Sequence, residues 1–457
     1  MRTEAHRTKD LTEGSPIRLL LLFSLPLMAG NIFQQLYTVV DTAIVGRVLG
    51  VDALAALGSA DWLNWMTLSM VQGITQGFAI LMAQKFGAGE YEKLRKVITN
   101  SIWLSVFCAL VITVAGELAI HPVLLLLDTP DEISSIGSSY LRVLFAGLPV
   151  VTAYNLSACM LRSLGDSRTP LYAMVVASLT NIVLDLLFVV GFHWGVEGAA
   201  AATIIGQLVS VLYCTRKILK IEILHMKKED WKMDGRLMGK LLVLGMPMAF
   251  QNSIIAVGGM IVQKVINGFG VAFIAGFTAT NKLYGLLETA ATSYGYAMVT
   301  YAGQNLGAGK KKRISQGMRS GLLISLLSSA VIAVFMISCG KIILGWFITA
   351  DGETGIAALG IAYRYLWIMS VCLPILYVLH VTRSCIQGLG NTVLPMLSGV
   401  AEFCMRTGAA LLLPGMMGEN GIFFAEILAW IGADLILIPS YFLVMRKIKT
   451  GLVKNEK

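Results

Sequence analysis

Twelve predominantly apolar runs follow one another along the chain, separated by short polar connections. They lie near 17–42, 53–82, 98–119, 139–161, 170–192, 197–215, 239–264, 272–301, 319–340, 359–382, 393–413 and 421–445. Most are long enough to cross a bilayer as a helix, which takes ~20 residues. Gly, Pro or charged residues bound the runs, as expected at helix ends. In lipid the backbone must satisfy its own hydrogen bonds, so such runs form helices. The longest polar connection, 216–238, is too short to be a soluble domain. The pattern therefore predicts an all-α integral membrane protein with twelve transmembrane helices, embedded in the lipid bilayer.

The pattern also repeats. Gln84-Lys-Phe-Gly87-Ala-Gly89 after span 2 returns as Gln304-Asn-Leu-Gly307-Ala-Gly309 after span 8. Leu164-Gly165 with Pro170 returns as Leu389-Gly390 with Pro395, and Pro26 in span 1 matches Pro247 in span 7. Each half holds six spans, an even number, so both halves enter the membrane in the same sense. That predicts two six-helix lobes related about an axis along the membrane normal, with a cavity near the midplane. The expected division is 1–215 for the N-terminal lobe, 216–238 for a basic cytoplasmic linker, and 239–457 for the C-terminal lobe and tail.

Composition agrees with a membrane setting. Hydrophobic residues make up 56% of the chain and charged residues 14%, against about 25% charged in soluble domains. The seven Cys are scattered without metal-ligand spacing, so neither a zinc site nor a disulfide framework is expected. The net charge of +9 does not point to nucleic acid, because its placement follows topology. Of the 36 Lys and Arg, 29 fall on the side that carries both termini, among them the one assigned to the loop after span 10, Arg383. The positive-inside rule then puts both termini in the cytoplasm of a multi-pass cell-membrane protein. The first run keeps Asn31, Gln34 and Asp41 and reads as a retained span rather than a cleaved leader.

Polar positions inside the spans carry the candidate chemistry. Asp185 lies in the run 170–192, where an ionised carboxylate costs about 2.5–3.5 kcal/mol on insertion scales. Asn181 and Ser178 fall on the same helix face. Asn31, Gln34, Thr38 and Asp41 form a stripe on span 1, with Tyr37 one turn before Asp41, and Thr203, Gln207 and Ser210 form another on span 6. These stripes are costly against lipid, so they face a shared interior. That places Asp41, Asn181, Asp185 and Thr203 in one pocket of hard oxygen ligands, suited to a proton or a small cation. The competing reading is that the acids only glue helices together by hydrogen bonds. Tyr37, Gln34, Asn155, Asp61, Gln251 and Glu288 are candidates for a substrate cavity. Asp61, next to Trp62 and Trp65, fits an interfacial aromatic belt equally well. Pro26 removes a backbone donor in the middle of span 1 and marks either a hinge or a static kink. Glu402 and Arg406, four apart, are expected to pair structurally. His380 in span 10 reads as structural.

No nucleotide-binding Gly-Lys-Ser/Thr loop, nucleophile elbow or zinc-protease helix is present, so no enzyme activity or cofactor is expected. The ordered pieces Asp41-Thr-Ala-Ile-Val-Gly46, Leu161-Arg-Ser-Leu-Gly-Asp166, Asn181 through Asp185, Gly198 to Thr203, and Gln304 to Gly309 resemble the multidrug and toxic compound extrusion (MATE) transporters. The resemblance covers essentially the whole chain. It implies a two-lobed, monomeric exporter of small organic compounds, coupled to inward flow of H⁺ or Na⁺. The family's first-lobe cation site would fall on Asp41, Asn181, Asp185 and Thr203, with Tyr37 and Asn155 nearby; no metal other than Na⁺ is implied. The second-lobe site of some members uses a Glu in span 7 and an Asp in span 10. Here Gln251 stands at the first position, and span 10 has no acid. The expected function is a secondary antiporter exporting amphipathic, cationic organic compounds. The alternative is a lipid-linked saccharide flippase of the wider multidrug/oligosaccharidyl-lipid/polysaccharide exporter superfamily.

Overall fold

A computed structural model describes residues 10–126, 130–348 and 352–450, and every regular element among them is helical. The helices are α1 (Pro16–Val48), α2 (Val51–Gly87), α3 (Tyr91–Leu126), α4 (Asp131–Ala146), α5 (Leu148–Ser163), α6 (Arg168–Asp185), α7 (Gly195–Ile218) and α8 (Gly235–Ile266). They continue with α9 (Val271–Gly307), α10 (Lys311–Leu344), α11 (Gly352–Gly388), α12 (Val393–Met417) and α13 (Phe424–Lys449). Ten of these are long and apolar enough to cross a membrane, and α4 with α5 makes an eleventh span bent by 49°. The twelfth is α9, whose 37 residues include Lys282, Glu288 and many hydroxyls. Twelve spans therefore stand where the hydrophobic pattern put them. The basic tails 1–9 and 451–457, which entered the charge reading, lie outside the described residues.

The bend between α4 and α5 falls at Gly147, two residues before Pro149, which has no N–H to continue the helix, and the packing there is tight. A Cβ on Gly147 would sit 2.4 Å from Cγ1 of Ile204, so α7 presses onto the backbone where the span breaks. Only a residue without a side chain admits that approach.

The described chain resolves into two compact units, one containing Leu25–Ser253 and the other Thr12–Ser24 with Ile254 onward. The boundary falls inside α8 and not in the polar linker, and α1 is divided in the same way. The start of α8 packs on α2 of the first unit. A Cβ on Gly77 would lie 2.4 Å from Cα of Gly245, and Asn252 Nδ2 donates to Ser69 O at 3.2 Å. Small residues bring these backbones together, the usual device between helices in lipid. The start of α1 is tied to the second unit, where Lys310 Nζ donates to Thr12 O at 3.0 Å.

The linker between α7 and α8 is anchored on the start of α3. Arg95 Nε meets Asp230 Oδ2 at 2.9 Å, Thr99 donates its hydroxyl to Asp230 O, and Asp234 N donates to Asn100 Oδ1 at 2.9 Å. Burial works against the Asp230 carboxylate. The Lys227 backbone N–H and the Arg95 guanidinium outweigh it and hold the pKa below the ordinary aspartate value.

Candidate cation site

The site lies in the first unit, where α1, α6 and α7 bring their polar stripes together. Close packing of α6 on α7 sets it. Gly206 faces Ala177 O, which a Cβ there would meet at 3.1 Å, and Ser210 Oγ donates to Ala173 O at 3.1 Å. This registers Thr203 opposite Asn181, whose Nδ2 donates to Thr203 Oγ1 at 3.4 Å. The amide nitrogen is thereby turned to Thr203, and Asn181 Oδ1 is left without a donor.

Asp185 ends the α-helical part of its span, and a π-helical turn runs from Leu186 to Gly191. Such widened turns recur at functional sites because they change which residues share a helix face. Asp185 is completely buried, Asn181 is 2% exposed and Asp41 9% exposed. The carboxyl groups of Asp41 and Asp185 lie close enough to feel each other's charge.

Donors are missing at this place. Asp41 Oδ1, Asn181 Oδ1, both carboxyl oxygens of Asp185 and Gln207 Oε1 are buried and accept no hydrogen bond. Buried polar atoms are almost always partnered, and five acceptor oxygens in one neighbourhood suit a species that brings donors or positive charge. A proton shared by the two acids would meet that need, and so would a small hard cation held by carboxylate, amide and hydroxyl oxygens. Alongside runs a tight cavity lined by Gln34, Tyr37, Asn181, Thr203 and Gln207, with room for about one water-sized particle. Among the described residues no three His, Cys, Asp or Glu cluster as a transition-metal site would require.

Other candidates fall elsewhere. Asn155 Nδ2 donates to Val151 O of its own helix at 2.9 Å. Asp61 is exposed on α2, within charge range of Asp41. Gln251 is buried on α8. Glu288 belongs to the second unit, where His380 Nε2 lies 3.4 Å from its Oε1. Pro26 is half-buried in α1, next to the point where that helix passes from one unit to the other.

In the second unit one expectation needs correcting. Arg383, assigned to a loop, lies within α11 and is 8% exposed, because the helix runs on to Gly388 past the polar residues that suggested an end. Arg383 Nη2 binds Glu402 Oε2 at 2.7 Å. Glu402 also pairs with Arg406 as expected, at 3.1 Å, and Arg406 reaches Glu426 at 2.7 Å. The pair read from sequence is thus the middle of a longer buried chain of charges. The spacing of Ser398, Glu402 and Arg406 on one face was the available signal, whereas nothing in the sequence joined it to Arg383 or Glu426.

The chain is similar to known proteins over nearly all its length. The MatE family profile matches residues 26–187 and again 247–408, so both matches begin on the paired prolines. The probable multidrug resistance protein YoeA of Bacillus subtilis is 29% identical over 79% of each chain. YpnP of the same organism, also described as a probable multidrug resistance protein, is 28% identical over 90% of this chain and 92% of its own. The solved structure of a MOP-superfamily transporter from Pyrococcus furiosus has the same fold, with a TM-score of 0.90 at 21% identity, over 98% of this chain and 100% of that one.

Proposed function

The chain belongs to the multidrug and toxic compound extrusion (MATE) family of membrane transporters, and we propose that it is a secondary antiporter exporting amphipathic, cationic organic compounds in exchange for H⁺ or Na⁺. It is a multi-pass membrane protein and not an enzyme. The observation that carries the reading is the cluster of donor-less oxygens on Asp41, Asn181, Asp185 and Gln207. Such a cluster binds a positive species strongly in one conformation and releases it where water can enter. Binding that differs between two conformations is what couples ion and substrate. An inward gradient then supplies about 2.3 kcal/mol per charge per 100 mV.

In this reading the Asp41/Asp185 pair holds the ion, Asn181 and Thr203 complete the oxygen set, and Gln34 and Tyr37 line the cavity beside it. Both termini are cytoplasmic, the cell membrane is the site of action, and the protein works as a monomer. Efflux of a fluorescent organic cation from proteoliposomes tests the reading, with pH and Na⁺ gradients imposed separately. One gradient or the other should accelerate efflux severalfold over the no-gradient rate. No acceleration by either would overturn the antiport reading, and movement of lipid-linked saccharide instead would establish a flippase.

A further inference from the structure

The second unit carries a buried charge that neither the fold nor the first-unit site explains. Four helices contribute polar positions. On α12 they are Ser398, Glu402 and Arg406, and on α13 Glu426, Trp430 and Asp434, both spaced by four. On α11 they are His380 and Arg383, and α9 offers Glu288 beside His380.

The charges do not balance. Glu402 takes a guanidinium nitrogen from Arg383 at 2.7 Å and one from Arg406 at 3.1 Å, while Glu426 takes Arg406 at 2.7 Å. Two guanidiniums are thus answered by two carboxylates. Asp434 is a further carboxylate, beyond these two and the Glu288 beside His380. It is 8% exposed, the charges that act on it are Arg383 and Glu402, and its Oδ1 has no hydrogen-bond partner. Arg383 makes no bond to it: Nη2 is directed at Glu402 and Ser398, and the buried Nε bonds to nothing.

Groups on the neighbouring elements do not change this. Arg383, His380 and Cys385 on α11, Glu402 and Arg406 on α12, and Glu426 on α13 itself all leave Oδ1 of Asp434 without a bond. Glu419, on the turn before α13, is exposed. A buried carboxylate oxygen without a donor, next to a carboxylate already engaged, is costly.

We infer that Asp434 is a second proton-binding site, in the second unit and independent of the Asp41/Asp185 pair. The proton comes from bulk water, and the carboxylate becomes a neutral acid without any other bond breaking. A proton fits better than a metal ion. The oxygens of Glu402 and Glu426 are committed to Arg383 and Arg406, so they are not free to ligate a metal ion, whereas a proton needs only the one carboxylate.

Infrared difference spectroscopy of the full-length protein in lipid, titrated with acid, tests this through the carbonyl band of protonated carboxylic acids. Asp434→Asn should remove one such band and take up one proton fewer per molecule. The doubly substituted Asp41→Asn/Asp185→Asn protein should keep that band, which separates this site from the first-unit reading. If Asp434→Asn does not fold, Asp434→Glu must shift the band while retaining it. An unchanged spectrum in either Asp434 variant would overturn the assignment, as would a band that responds to Na⁺ at constant pH.

Discussion

The Arg383 guanidinium lies 2.7 Å from the Glu402 carboxylate, on two helices that both pass through the apolar interior of the second unit. Glu402 also holds Arg406, so its one carboxylate accepts from two guanidiniums. Removing one member of a buried pair costs about 3–5 kcal/mol, because the partner charge is left uncompensated. Glu402→Gln should therefore lower the thermal midpoint of the purified protein well below that of the native chain. Transport per folded molecule should fall much less. A native midpoint in this variant would show that the network contributes little to stability.

Linker anchoring gives a pH dependence of defined sign. The folded Asp230 carboxyl has a pKa below its unfolded value. Its contribution is therefore fully present above the unfolded pKa of about 3.9 and is lost as pH falls through the lower folded value. Limited proteolysis at Lys227 and Lys228 should accelerate in the native protein as pH drops through that range. Asp230→Asn should be cut faster already at neutral pH, with little further change on acidification. Equal cleavage of the two proteins at neutral pH would contradict the anchoring role.

Much of this arrangement was legible in the sequence. Hydrophobic runs set the twelve spans, and the repeated Pro26 and Pro247 announced the duplication that the family profile matches twice. Asn181, Asp185 and Thr203 could be grouped because helical spacing is rigid and acids in lipid are costly. Three things were not legible. The unit boundary inside α8 depends on close backbone packing at Gly77 and Gly245, which polarity does not report. The close approach at Gly147 depends on Ile204 from a distant helix. Arg383 was misplaced because polar residues near a helix end look like a loop until neighbouring helices bury them.

Pro26 occupies the half-buried position in α1 next to the unit boundary, so bending there would move one part of the helix against the other. Pro26→Ala restores a backbone donor and should straighten α1. Turnover should fall severalfold while the amount of folded protein stays near native. Undiminished transport would make the proline a passive kink.

The density of basic residues around 216–238 predicts that this segment faces the cytoplasm. A single cysteine introduced at Lys228, in a background lacking the seven native ones, should react with an impermeant thiol reagent only in inside-out vesicles. Labelling in intact cells would reverse the assignment of both termini.

The donor-less oxygens around Asp41 and Asp185 are proposed to hold the coupling ion. Asp41→Asn and Asp185→Asn keep the shape of each side chain but can neither ionise nor take up a proton. The most direct measurement is gradient-driven export of a fluorescent cation per folded molecule in proteoliposomes, with each variant compared with the native chain and with Glu402→Gln. The expected result is loss of gradient acceleration in both aspartate variants and its retention in Glu402→Gln. Native export in Asp185→Asn, or equal loss in Asp41→Asn and Glu402→Gln, would place the coupling site elsewhere.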